Sequence, residues 1–158
     1  MISYPVDHSD QVVVLTRSVL SHFDRHRQTR VGSSEAGGQL FARFDGDVIR
    51  VERATGPRSS DHRVPTAFIP NRIAERREIT RAFRDGFHYV GDWHTHPEPT
   101  PNPSPIDIHS FREMYRKSHH RLASFLMVIV GTSLDDTGLY VALCNSNMLS
   151  RLSVSHGN

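Results

Sequence analysis

His94 and His96 flank a single residue. After seven more positions comes Ser104, and after two more Asp107, all within WHTHPEPTPNPSPIDIH, which opens at Trp93. Two imidazoles and a carboxylate are donors of the kind that hold one divalent metal ion. Three protein ligands leave one tetrahedral position for water, the pattern of a catalytic rather than a structural zinc site, with one Zn2+ per chain. A His-x-His pair alone is more often a polar strand face, and Ser-Pro-x-Asp alone is more often a helix cap. Here the two sit in register within fourteen residues. A further acid, Glu35, lies in Ser33-Ser34-Glu35-Ala36-Gly37-Gly38-Gln39-Leu40-Phe41, just before a strand-like run.

The elements that must carry these groups follow from local pattern. Tyr89–Trp93 reads as the end of a strand, where residues i and i+2 project to one face, so His94 and His96 share a direction and Thr95 points away. Ser104-Pro105-Ile106-Asp107 has the form of a helix start, with Ser as N-cap, Pro at the first helical position and an acid at the third. Pro97–Pro105 contains five prolines in nine residues, which stiffens the link between the histidines and Asp107 and excludes it from a ladder.

These residues resemble the JAMM (JAB/MPN+) metalloprotease motif. Glu35, His94-Thr95-His96-Pro97, Ser104 and Asp107 match Glu…His-[Ser/Thr]-His-Pro-x6-Ser-x2-Asp at every position, and the resemblance runs from about Glu35 to Asp107. The segments Glu-Ala-Gly-Gly-Gln-Leu-Phe and Gly-Asp-Trp-His-Thr-His-Pro are similar to the short bacterial JAB peptidases, some of which accompany E1/E2-like proteins in CBASS antiphage operons. The resemblance implies that His94, His96 and Asp107 hold zinc. It further implies that Glu35 acts as general base and then protonates the departing amine, and that Ser104 donates a hydrogen bond to the oxyanion. Ser104 as a helix cap is the competing role, and the two do not exclude each other. The implied fold is α+β, a mixed β-sheet flanked by helices in a three-layer α/β/α-like arrangement with a JAB/MPN, cytidine-deaminase-like core.

Length and composition bound the rest. The 158 residues suit one domain, 1–158, with a single core and no appended recognition module. The N-terminal segment lacks the basic and apolar pattern of a signal peptide, and no run approaches transmembrane length, so a cytoplasmic protein without membrane contact is expected. Cys144 is the only cysteine; it reads as a small buried hydrophobe in a late strand. The formal charge of +2 comes from 19 basic against 17 acidic residues, with the basic ones dispersed, so nucleic-acid binding is not indicated. Of the eleven histidines, His62 and His109 stay open as further site residues; Trp93 reads as a core or rim aromatic.

Along the chain, Val12–Leu15 is an extended start, Arg17–Gln28 an amphipathic helix, and Gly38–Phe44 and Val48–Ala54 strands joined by a hairpin at Asp45-Gly46-Asp47. Thr55–Ala67 is a polar, turn-rich stretch, either a functional loop or a connection. Asn71 caps a helix with Ile73, Ala74, Ile79, Ala82 and Phe83 inward and Gly86 at its end. Phe87–Trp93, a helix from Pro105 to about Ser118, and strands Ser124–Val130 and Leu139–Cys144 complete the pattern.

The site chemistry alone fits any amide hydrolysis, and the resemblance implies three candidate functions. The first is a zinc isopeptidase or peptidase that cuts after the flexible C-terminal tail of a ubiquitin-like or conjugated protein, in the CBASS setting a CD-NTase joined to its target by an E1/E2-like partner. The second is an inactive MPN-type interaction module. The third is a hydrolase that matures a sulfur-carrier precursor. Thr55–Ala67 and Pro97–Asn102 are expected to wall the groove that admits the tail.

Overall fold

The run Phe125-Leu126-Met127-Val128-Ile129-Val130 is buried at every position, which requires a strand covered on both faces. In the computed structural model, which describes residues 1–155, this strand lies inside a sheet of eight strands. They are β1 (Ile2–Pro5), β2 (Val12–Leu15), β3 (Gly37–Asp45), β4 (Val48–Ala54), β7 (His88–Thr95), β8 (Phe125–Val130), β9 (Leu139–Cys144) and β10 (Leu149–Arg151). Their order is β1-β2-β4-β3-β7-β8-β9-β10, and the β2–β4 and β7–β8 pairs are parallel while the others are antiparallel. Strands β5 (His62–Val64) and β6 (Ala67–Ile69) form a separate hairpin.

Three helices cover the sheet: α1 (Arg17–Asp24), α2 (Arg72–Arg84) and α3 (Pro105–Lys117). Leu126, Val128 and Val130 pack with Val19 and Phe23 of α1, whereas Phe125, Met127 and Ile129 pack with Phe111 of α3. Ala82 of α2 joins Phe41 and Phe87. The result is the expected α+β fold in three layers. Among the described residues no helix is long and apolar enough to cross a membrane.

Several expected boundaries shift for identifiable reasons. Helix α1 stops at Asp24 instead of continuing to Gln28, because the Arg27 and Gln28 side chains turn inward and are buried. Thr55–Ala67 is not wholly irregular, since its second half begins the β5–β6 hairpin. Asn71 caps α2 as expected, accepting from the Ile73 and Ala74 N–H groups. Ile73 and Phe83, however, are 63% and 66% exposed, because only the stripe through Ile79 and Ala82 meets the sheet. The short edge strands β1 and β10 carry no strong period of their own and are held by pairing to β2 and β9.

Candidate metal and catalytic site

Register determines which way the motif points. In the parallel β7–β8 pair Asp92 lies beside Met127 and His94 beside Ile129, on the face covered by α3, while Trp93 and Thr95 lie beside Val128 and Val130, on the face covered by α1. Strand β3 runs antiparallel to β7 with Gly37 opposite His94, and continuing that register sets Glu35 opposite His96. Gly38 permits this arrangement: a Cβ there would overlap the Thr55 carbonyl. That carbonyl accepts the Trp93 indole N–H at 2.9 Å, and Trp93 is 1% exposed, which places it in the core.

Asp107 arrives from the other side. Ser104 caps α3 in a reciprocal box, its Oγ accepting from the Asp107 N–H at 3.1 Å while the Ser104 N–H donates to Asp107 Oδ2 at 2.8 Å. The proline-rich link is docked along the chain after β8, where the Thr132 and Ser133 N–H groups donate to the Glu98 and Pro99 carbonyls. Both anchors hold the first turn of α3 over the end of β7.

The three expected ligands meet. His94 Nε2 and His96 Nε2 are 3.2 Å apart, His94 Nε2 is 3.3 Å from Asp107 Oδ1, and His96 Nε2 is 3.2 Å from Asp107 Oδ2. The two contacts to Asp107 end on different carboxylate oxygens, and the imidazoles and the carboxylate converge at about the 3.3–3.6 Å that separates donors about 2.0–2.2 Å from one tetrahedral ion. Glu35 also offers a carboxylate oxygen within 4.8 Å of the histidine donors, which makes Glu35, His94 and His96 a second conceivable ligand set. Asp107 thus touches both imidazoles, and Glu35 lies close to the same pair.

The charges at the site shift one another. Burial alone would raise the Asp107 carboxyl, but hydrogen bonds from His94 and His96 hold it well below the usual carboxylate range. The same contact with Asp107 raises His96. Burial pushes the Glu35 carboxyl up, against the pull of His94 and His96. These groups open into a cavity of about 510 Å³ whose apolar walls include Phe68 and Ile69 from β6 and Ile106, Phe111 and Met114 from α3. Ser104 lines it too, its Oγ accepting from the Asp107 N–H. His62 and His109 are exposed and lie outside this cavity.

Residues 16–143 match the family described as prokaryotic homologs of the JAB domain. This chain is therefore a member of the prokaryotic JAB family. It is 31% identical over 146 residues to a CD-NTase/cGAS isopeptidase of Pseudomonas aeruginosa (strain BWHPSA011 / Pa011), covering 90% of this chain and 89% of the relative. Proteins of the same name from Escherichia coli (strain TW11681) and Vibrio cholerae serotype O1 (strain ATCC 39315 / El Tor Inaba N16961) are 34% and 32% identical, covering 67% and 79% of this chain and 70% and 80% of theirs. The fold is similar to solution structures of proteins from Desulfitobacterium hafniense (TM-score 0.56, 22% identity, 88% of each chain) and Salinibacter ruber (strain DSM 13855) (TM-score 0.54, 20% identity, 91% of each chain).

Two parts of this JAB site escaped the sequence reading. Below the histidines, Asp92 is buried and accepts from the Tyr89 hydroxyl at 3.1 Å, and near it Glu75 pairs with Arg72 at 2.8 Å. Burial, then the charge of Glu75, pushes the Asp92 carboxyl up to about 7. An acid inside a strand flanked by apolar residues was the available signal. The other part is Gln28, 5% exposed, which has no motif and lies in a segment read as the end of a helix.

Proposed function

We propose that this JAB domain, spanning 1–158, is a zinc-dependent isopeptidase. Its substrate is a protein, of the CD-NTase class named by its relatives, joined through its C-terminal tail to an amine of another protein by an E1/E2-like enzyme. The observation that carries this reading is the convergence of His94, His96 and Asp107 at 3.2–3.3 Å, with Glu35 close to the histidines in the lining of the same cavity.

His94, His96 and Asp107 would hold the ion. When bound, zinc supplies Lewis acidity that polarises the scissile carbonyl and makes a water acidic enough to attack near neutral pH. Glu35 takes the proton from the attacking water, whose oxygen joins the carbonyl carbon. As the C–N bond breaks, the same carboxyl delivers that proton to the departing amine nitrogen, and the second proton of the water passes from the new carboxyl group to the released amine, leaving a carboxylate on the tail and an ammonium on the target. The Ser104 hydroxyl donates to the oxygen on which charge develops. The apolar walls from β6 and α3 exclude water around the bond.

The test is cleavage of a purified CD-NTase conjugate linked to a lysine amine. The expected result is release of the intact CD-NTase C-terminus, abolished by a chelator and restored by zinc. Cleavage that survives complete chelation would overturn the metal requirement. Cleavage within either protein, rather than at the linkage, would overturn the isopeptidase assignment.

A further inference from the structure

Glu35 precedes β3 in an otherwise irregular stretch, so something besides the ladder must hold it in place. Its own N–H donates to the Val64 carbonyl at 2.9 Å. Its carbonyl accepts from Arg63 Nε at 2.8 Å, and the Ser34 carbonyl accepts from Arg63 Nη2 at 3.3 Å. Arg63 forms no ion pair with a carboxylate among the described residues; its fork serves two successive carbonyls at the base. Both partners, Arg63 and Val64, belong to β5 of the hairpin.

A second set of contacts closes around the same backbone. Gln28 donates from Nε2 to the Ser33 carbonyl at 3.0 Å and to the Pro65 carbonyl at 3.1 Å, and its Oε1 accepts from the Thr95 hydroxyl at 2.7 Å. Thr95 Oγ1 in turn accepts from the Ala36 N–H at 2.9 Å, and the Thr95 N–H donates to the Ala36 carbonyl at 2.8 Å. Thr95 is fully buried and Gln28 nearly so, so these bonds are shielded from water. A buried glutamine that merely satisfied itself could do so within one segment. This one joins three: the chain before Glu35, the residue between the two histidines, and the turn of the hairpin.

We infer that Arg63 and Gln28 are positioning residues for hydrolysis, tying the Glu35 backbone both to the histidine strand and to the β5–β6 hairpin, so that the hairpin sets where the base stands. The hairpin also contributes Phe68 and Ile69 to the cavity wall. A substrate seated against that wall therefore presses on the element that holds Glu35, which couples occupancy of the groove to placement of the base. This inference rests on reading Glu35 as the base.

The experiment compares zinc-loaded wild type with Arg63→Ala, Arg63→Lys and Gln28→Leu, reading amide hydrogen exchange at Glu35 and Ala36, zinc content, and kcat and KM on the conjugate. Arg63→Ala is expected to speed exchange at the Glu35 amide by about tenfold or more, the ratio expected when the hydrogen bonds of a charged donor that steady this backbone are lost. Amides of Leu40–Ala42 in β3 and the zinc content should stay at wild-type values. The kcat should fall by about 10- to 100-fold with KM held within about threefold, because a misplaced base costs rate rather than affinity. Arg63→Lys should recover only part of kcat, since an ammonium lacks the two-point fork. In a Glu35→Gln background Arg63→Ala should cost nothing further.

Unchanged exchange at Glu35, or a loss confined to KM, would overturn the inference and leave Arg63 as part of the substrate wall. Should Gln28→Leu not fold, the two Arg63 variants decide the matter alone. Full activity of Glu35→Gln is a different result: it overturns the assignment of the base itself, and the proposed effect on turnover with it.

Discussion

Two roles meet at Ser104, the helix cap seen in the structure and the oxyanion donor proposed for it. Its Oγ accepts from the Asp107 N–H, which caps α3, and the residue also lines the cavity. The jobs separate by substitution, because glycine is tolerated at an N-cap at a cost of a few tenths of ~1 kcal/mol whereas alanine costs about 1 kcal/mol. Ser104→Gly should therefore unfold at nearly the wild-type denaturant midpoint yet lose about 10²- to 10³-fold in kcat, as expected for one missing oxyanion donor. Wild-type turnover in Ser104→Gly would reduce Ser104 to a cap. Asp92 makes a prediction about pH. Its folded pKa is raised, to about 7, so the protonated form is favoured by folding; that contribution is complete below the ordinary aspartate value and is lost as pH rises through about 7. Asp92→Asn keeps an acceptor for the Tyr89 hydroxyl without the buried charge. Thermal melts should show it more stable than wild type at pH 8, with the advantage shrinking toward pH 5. An advantage that grew on acidification would reverse the sign of this account.

The β5–β6 hairpin changes what a loop deletion would mean. Deleting part of Thr55–Ala67 looks, from sequence, like removal of a substrate wall. With Val64 and Arg63 bonded to Glu35, such a deletion also removes the supports of the proposed base and is expected to harm every substrate. The wall is better tested at Ile69, which is 58% exposed and lines the cavity. Ile69→Ser should raise KM for a folded conjugate by roughly threefold to tenfold, in line with about 1 kcal/mol of lost apolar contact, and leave a small peptide amide unaffected. Equal loss on both substrates would move Ile69 from the wall into the support of the site. The hairpin was hidden in the sequence because three-residue strands among Ser, Asp, Arg and Pro carry no period. By contrast β4, β9 and the capped start of α3 were plain, since each has an apolar run or a capping pattern that local physics dictates. The histidine pair and Asp107 were legible for the same reason, because a strand end and a helix N-terminus set their directions. Gln28 and Asp92 were not, as both take their role from partners distant in sequence.

On the scale of the molecule, the site sits where the carboxyl end of β7 meets the start of β3, with β8 parallel to β7 beneath it. Crevices at the carboxyl ends of parallel strands are common ligand sites, and here helix α3 brings its N-terminus across that end. Zinc bound there would link the sheet to α3 through one ion. The division of labour between Asp107, read as ligand, and Glu35, read as base, is the central claim. Zinc per chain, measured by mass spectrometry on wild type, His94→Ala, Asp107→Ala and Glu35→Gln, tests it most directly. The account predicts about one zinc in wild type and in Glu35→Gln, and little in His94→Ala or Asp107→Ala. A zinc-free wild type, or retention by Asp107→Ala together with loss from Glu35→Gln, would contradict it.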